Sequence, residues 1–215
     1  MITISAFAWV PEFARGQVRD LRVRWALEEA GLPYRARLLE QGDQDAPEYR
    51  ALQPFGQVPI FDEDGLVLFE TGAIVHHVGQ RSEALLPADP AARARALQWM
   101  FAALNSVEPF VMQVALIDFF YTDEAWAKAR RPSAVEFMQK RIKGVANALG
   151  DKTFLDGERF TAGDLIMATV LGIDSEALAA HPTLVAYVER CRARPAFVRA
   201  LAAQLGDFRE EQQAA

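Results

Sequence analysis

Two short apolar stretches, Val58 to Phe61 and Leu66 to Phe69, are separated by Asp62-Glu63-Asp64-Gly65. That punctuation restricts the region to a β-hairpin, because an Asp-Gly pair tolerates the positive φ that a tight turn between strands demands. The hairpin opens on Pro59, which cannot donate to a sheet ladder and so belongs at a strand start or an edge. Upstream, Thr3 to Val10 is β-branched, aromatic and small, which predicts a strand stopped by Pro11. Val23, Ala26, Leu27 and Ala30 follow at i, i+3, i+4 and i+7, a helix ended by Gly31 and Leu32. Tyr34, Ala36 and Leu38 alternate with Arg35, Arg37 and Leu39 and predict a second strand. Asp45 and Glu48 have capping-box spacing for a short helix ending near Leu52, and another helix runs from Thr71 toward Val78. The order is strand, helix, strand, helix, hairpin, helix.

Beyond that point no strand is expected. Residues 81–90 carry Ser and two prolines with little periodicity and mark a linker between domains 1–80 and 91–215. Asp89 and Pro90 supply a cap and a first-turn proline for a helix with Leu97, Phe101 and Leu104 on one face, which Pro109 should bend or end. Ser133 and Glu136 have the spacing of a capping box for a helix closed by Gly150. Thr161 and Asp164 repeat the pattern between Phe160 and Leu165, opening a segment apolar nearly all round that belongs in a domain centre. Shorter helices follow Pro182 and Pro195, and a polar tail, 209–215, is expected to fray.

The chain has 215 residues, 51% of them hydrophobic and 24% charged, as in a globular protein. A net charge of -6 argues against nucleic acid, since phosphate binding needs clustered cations. Arg19, Arg22 and Arg24 do bunch, but Asp20, Glu28 and Glu29 dilute them, and the reading is a solvated helix face. No basic leader precedes an apolar core, and no apolar run approaches the ~18 residues of a membrane span, so the expectation is a cytoplasmic protein with no membrane partner. Cys191 is the single cysteine, read as a buried small hydrophobe, which leaves no disulfide or dithiol chemistry. His76, His77 and His181 are too few and too badly spaced for zinc, so no metal is assigned.

Gln53-Pro54-Phe55-Gly56-Gln57-Val58-Pro59 and Glu70-Thr71-Gly72-Ala73-Ile74 resemble the glutathione-site motifs of cytosolic glutathione transferases. Phe160-Thr161-Ala162-Gly163-Asp164 is similar to that family's helical-domain capping box, and Arg194-Pro195-Ala196-Phe197 to its tail. The resemblance spans roughly residues 2 to 205. It implies an N-terminal thioredoxin-like βαβαββα domain followed by an all-helical C-terminal domain (α/β plus all-α), a cis bond before Pro59, a homodimer, and a role in detoxification.

Under that resemblance Gln57, Val58, Pro59, Glu70 and Thr71 bind glutathione as co-substrate. Val58 would pair with its cysteinyl backbone, and the helix start at Thr71 favours an anion. A transferase must also stabilise the thiolate, which family members do with Tyr, Ser or Cys after the first strand. Ala8 to Gln17 contain no hydroxyl or thiol. Ser5 lies inside the predicted strand and is assigned a core or sheet role. Arg15 is the candidate catalytic group by electrostatics, with a plain surface arginine as the alternative. Trp9, Phe13, Phe101, Asn105 and Phe110 are candidate walls for a small hydrophobic electrophile, with core burial the alternative for the aromatics. The function expected is glutathione transfer to that electrophile; the rival is a noncatalytic module of the same fold for ligand carriage or protein association.

Overall fold

The computed structural model describes residues 1–209. Its elements are β1 (Ile2–Phe7), α1 (Asp20–Ala30), β2 (Tyr34–Leu39), α2 (Pro47–Arg50), β3 (Phe61–Glu63), β4 (Leu66–Leu68) and α3 (Thr71–Gly79). The helices α4 (Pro90–Phe101), α5 (Glu108–Phe120), α6 (Ala125–Leu149), α7 (Ala162–Leu171), α8 (Pro182–Arg192) and α9 (Pro195–Asp207) complete it. Packing divides the chain into two units: residues 1–83 with the chain from Arg194 onward, and residues 84–193.

The first unit is a four-stranded sheet of order β2-β1-β3-β4. β1 runs parallel to β2 in the register Ile4↔Ala36 and antiparallel to β3 at Ile4↔Phe61. The hairpin turns through Asp64 and Gly65 with φ of 52° and 89°, the conformation for which an Asp-Gly pair is suited. The helix between β1 and β2 and the hairpin that follows give the predicted thioredoxin-like order. The 47–50 helix is built differently from expectation: Ala46 is its N-cap and Pro47 fills its first turn. Asp45 sits in a preceding 3-10 turn and binds Arg50 at 2.5 Å instead of capping.

The arginine-rich face of α1 is a correction to the sequence reading. Arg22 and Arg24 are 4% and 1% exposed, and Asp20 1%. Arg24 Nε donates to Asp20 at 2.7 Å and Nη2 to Asp207 at 2.6 Å, while Gln204 Nε2 donates to Asp20 at 2.7 Å. The cause is α9, which packs on α1 with Phe197 edge-on to Trp25 and Arg194 holding Glu29. A helix more than 160 positions downstream leaves no mark on the local charge pattern of α1. Arg209, expected in a frayed tail, donates from its amide to Ala8 at 2.8 Å and pairs with Glu40. The rest of that tail, 210–215, lies outside the described residues.

The second unit is helical, with α7 at its centre and every residue of α7 buried. Thr161 and Asp164 form the predicted capping box, and Asp164 also accepts from the Leu155 amide and the Tyr187 hydroxyl. A Cβ on Gly163 would meet Trp99 Cβ at 2.5 Å, so glycine is what lets α7 approach α4 this closely. Pro109 does interrupt the helix that precedes it: a π-helical stretch, Ala102–Val107, intervenes, and Pro109 then lies in the first turn of α5. Ser133 is no N-cap. The helix runs from Ala125 through Pro132 to Leu149, and Ser133 bonds Arg130 within it.

The continuous run from Pro90 to Phe120 is long enough to cross a membrane, and its most apolar 18-residue stretch has a mean hydropathy of 1.5. The sequence reading missed it because Asn105, Ser106 and Glu108 break every apolar run. Here α4 packs on α7, and α5 on α6. Cys191 is fully buried, as expected.

Candidate functional site: a cis-proline loop beside a helix mouth

The Val58–Pro59 bond is cis, as the resemblance implies. Three hydroxyl-centred hydrogen bonds fix the loop around it. Ile60 N–H donates to Ser5 Oγ at 2.7 Å, Ser5 Oγ lies 2.8 Å from Tyr49 Oη, and Tyr49 Oη donates to the Gln57 carbonyl at 2.7 Å. The directions are then forced: with its own hydrogen committed to Gln57, Tyr49 Oη accepts from Ser5, which accepts from Ile60. Burial pushes the Tyr49 phenol up, so it keeps that hydrogen at neutral pH.

Gln53, buried, takes the Phe55 amide on its side chain at 2.6 Å, and its carbonyl takes Gly56 N–H at 3.1 Å. Gly56 has φ 62°, and an added Cβ would lie 2.6 Å from the Arg50 guanidinium, which itself donates to the Pro54 carbonyl at 3.0 Å. Only glycine fits there.

Val58 is left with its amide and carbonyl engaged by no hydrogen bond among the described residues. The exposed Gln57 side chain likewise has no hydrogen bond among the described residues. Phe55 meets Phe69 edge-on at 6.1 Å, which brings this loop to the start of α3. There Glu70 is the N-cap residue in an uncommon backbone conformation, φ 68° and ψ 115°, and its exposed carboxylate caps nothing. The first helical bond is Ile74 N–H to Glu70 at 3.0 Å, so the amides of Thr71, Gly72 and Ala73 have no acceptor among the described residues. A free strand edge one residue long thus lies beside a helix mouth that favours a carboxylate, with a free carboxylate at its rim.

The structure therefore brings Gln57, Val58, Pro59, Glu70 and Thr71 together. Arg15 is exposed, ends the 3-10 turn Glu12–Ala14, and lies 5.8 Å over the Phe208 ring. Trp9 is half-buried, its carbonyl taken by Gln41 at 2.9 Å, and Phe13 is 46% exposed. Both belong to the first unit. In the second, Asn105 lies in the π-helical stretch, Phe101 is 62% exposed, and Phe110 is covered by the Arg141 guanidinium at 4.6 Å. Core burial is thereby excluded for Phe101.

Ser5 has the sheet role predicted for it. Tyr49 and Arg50, which hold the loop, were missed, and Gln53 was read only as part of the motif, without this role. Tyr49 alone could have been suspected, as an aromatic in a four-residue helix too short to need one for its own sake.

Residues 13–80 match the family model described as glutathione S-transferase, N-terminal domain, and residues 108–195 its C-terminal domain. The chain is 33% identical over 205 residues to the disulfide-bond oxidoreductase YfcG of Escherichia coli, covering 86% of this chain and 91% of that protein. It belongs to the glutathione S-transferase family. Glutathione S-transferase F14 of Arabidopsis thaliana is 30% identical over 164 residues, covering 69% of this chain and 64%, a little under two thirds, of that protein. Among solved structures, a glutathione transferase family member from Pseudomonas fluorescens with two glutathione bound superposes with a TM-score of 0.80 at 24% identity. That match covers 93% of this chain and 92% of the other, and it confirms the fold.

Proposed function

We propose that this family member binds glutathione at the Val58–Pro59 loop and the mouth of α3, and transfers it, through a bond from its thiolate sulfur, to a small hydrophobic electrophile. The observation that carries the reading is the pairing of an unbonded Val58 amide and carbonyl with three unbonded amides at Thr71, Gly72 and Ala73. Val58 forms a two-bond antiparallel bridge with the cysteinyl residue. The α3 mouth takes the γ-glutamyl carboxylate, Glu70 its ammonium, and Gln57 adds a polar contact. The glutathione bound in the Pseudomonas fluorescens structure supports the choice of ligand.

Thiolate stabilisation falls to groups other than a Tyr, Ser or Cys side chain, since Ala8 to Gln17 offer none. Donors on that stretch include the Trp9 and Val10 amides, which have no acceptor among the described residues, and the Arg15 guanidinium. Trp9, Phe13, Phe101, Asn105 and Phe110 are the electrophile-side residues in this proposal. A cytoplasmic homodimer in which residues 1–80 bind glutathione and a helical domain begins near 91 completes it.

The missing hydroxyl favours one rival, a noncatalytic ligand-carrying or protein-associating module of the same fold. Turnover separates the two. Glutathione consumption is measured with a panel of aryl halides, enones and epoxides. A small disulfide is added because of the similarity to YfcG, where two glutathiones would become one oxidised glutathione as the disulfide yields two thiols. Turnover of any member above the buffer rate supports catalysis. Retention on a glutathione matrix with no turnover across the panel overturns it in favour of the module.

A further inference from the structure

The first unit holds a second concave site, away from the 57–71 segment. A crevice of about 610 Å³ opens between α1, the loop 31–33, β2 and α9. Its apolar lining is Leu27, Leu32, Leu38, Ala36 and Ala203. β2 is the edge strand of the sheet, and among the described residues no further strand pairs with it. The volume lies in the range of small-molecule sites, roughly 300–1,000 Å³.

The polar groups of the crevice set its chemistry. Tyr34 Oη is buried with only the Arg24 guanidinium, itself a donor, beside it, so the phenol's own hydrogen has no acceptor among the described residues, an arrangement native structures avoid unless something completes it. Burial pushes the Tyr34 phenol up, so it is a neutral donor. Beside it, Arg24 lies 6.0 Å from the Tyr34 ring, with Nε committed to Asp20 and Nη2 to Asp207, leaving the Nη1 hydrogens over. Both guanidiniums are already paired: Arg199 holds Glu28 at 2.7 Å, and Arg24 faces the two carboxylates of Asp20 and Asp207. An anion entering here meets three carboxylates against two guanidiniums. A cation would have to displace the Arg24 pairing and leave Tyr34 unanswered. A neutral molecule with one acceptor satisfies Tyr34 and Arg24 Nη1 together and buries its body on the leucines.

We infer that this crevice binds an uncharged, largely apolar molecule bearing a carbonyl-type acceptor, such as an aryl ketone or a quinone, with Tyr34 as the recognition donor. The site is independent of glutathione, and its test does not need the glutathione reading to hold.

The probes are a fluorinated acetylnaphthalene, its ethyl analogue without the carbonyl, the matching naphthoate anion and the matching aminomethyl cation, each titrated against the full chain by fluorine NMR. The ketone should bind saturably, the ethyl analogue about tenfold more weakly, as for loss of one hydrogen bond to a buried donor, and both ions more weakly than the ketone. Tyr34→Phe should reduce ketone affinity to that of the ethyl analogue and leave the ethyl analogue unchanged. Ala203→Phe should fill the crevice and abolish binding of both, and saturating glutathione should displace neither. Where circular dichroism shows Ala203→Phe unfolded, the Tyr34→Phe comparison decides alone. The inference is overturned if the ketone shows no saturable binding up to its solubility, if wild type and Tyr34→Phe bind it equally, if either ion binds more tightly, or if glutathione displaces it.

Discussion

Tyr49 Oη and the Gln57 carbonyl are 2.7 Å apart, and through this bond a buried phenol on a one-turn helix sets the position of the residue preceding Val58. The phenol also receives Ser5 from the middle of the sheet. The proposed ligand-facing backbone is therefore anchored to the central strand pair of the sheet through the buried side chains of Ser5 and Tyr49.

Tyr49→Phe should cost about 1–2 kcal/mol of stability, because the Gln57 carbonyl and Ser5 lose a partner while the ring still packs. Glutathione affinity should fall several-fold with it. Urea unfolding and calorimetry read the two effects separately; unchanged affinity in a folded variant would show that the loop does not depend on this bond.

Glu70→Gln keeps the side-chain volume and removes the charge. Because Glu70 is exposed and caps nothing, stability should change by less than about 0.5 kcal/mol. Affinity for glutathione should drop about tenfold or more, as for loss of a charge-assisted bond. Calorimetry finding equal affinity would remove Glu70 from the site.

Much of this arrangement was legible before any coordinates. The Asp64-Gly65 turn and the Thr161–Asp164 cap are local, encoded by residues within a few positions of one another, whereas the cis bond before Pro59 followed from the family resemblance. What escaped was long-range. The face of α1 reads as solvated until α9 covers it, and Tyr49 gains its role only through Ser5 and Gln57. Ser133 has capping spacing but sits inside a helix whose preceding turns continue through Pro132, so packing overrode the local signal. Arg15 could be named as a candidate from its place after β1, yet its stacking over Phe208 depends on where the end of α9 leaves the chain.

Asp20 gives a pH dependence with a definite sign. Burial raises its carboxyl from 3.8 to about 6, with Arg24 and Gln204 partly offsetting the desolvation. The folded state then holds a proton between those values that the unfolded chain has released. Its contribution to stability is full below the unfolded pKa and is lost as pH rises through the folded one, about 3 kcal/mol in all. Asp20→Asn cannot titrate. The difference in unfolding free energy, wild type minus variant, should therefore fall between about pH 4 and 6.5 and level off above. A flat difference across that range would contradict the assignment.

Asp164 serves the Leu155 and Thr161 amides and the Thr161 and Tyr187 hydroxyls from a fully buried position. Asp164→Ala strands all four donors. It should destabilise the fold by about 3 kcal/mol or more, measured by chemical denaturation. A loss below about 1 kcal/mol would mean that the cap is redundant.

Arg15→Ala tests the proposed thiolate contact. Its outward position predicts little change in stability, so a fall in conjugation rate would be a chemical effect. Equal rates would leave the backbone amides after β1 as the stabilising donors.

The receptor itself is tested most directly by titrating reduced glutathione into isotopically labelled protein and following backbone amides by NMR. Saturable shifts concentrated at Val58, Thr71, Gly72 and Ala73 are the predicted result. Millimolar ligand that leaves those four amides unmoved, or moves only amides elsewhere, would contradict it.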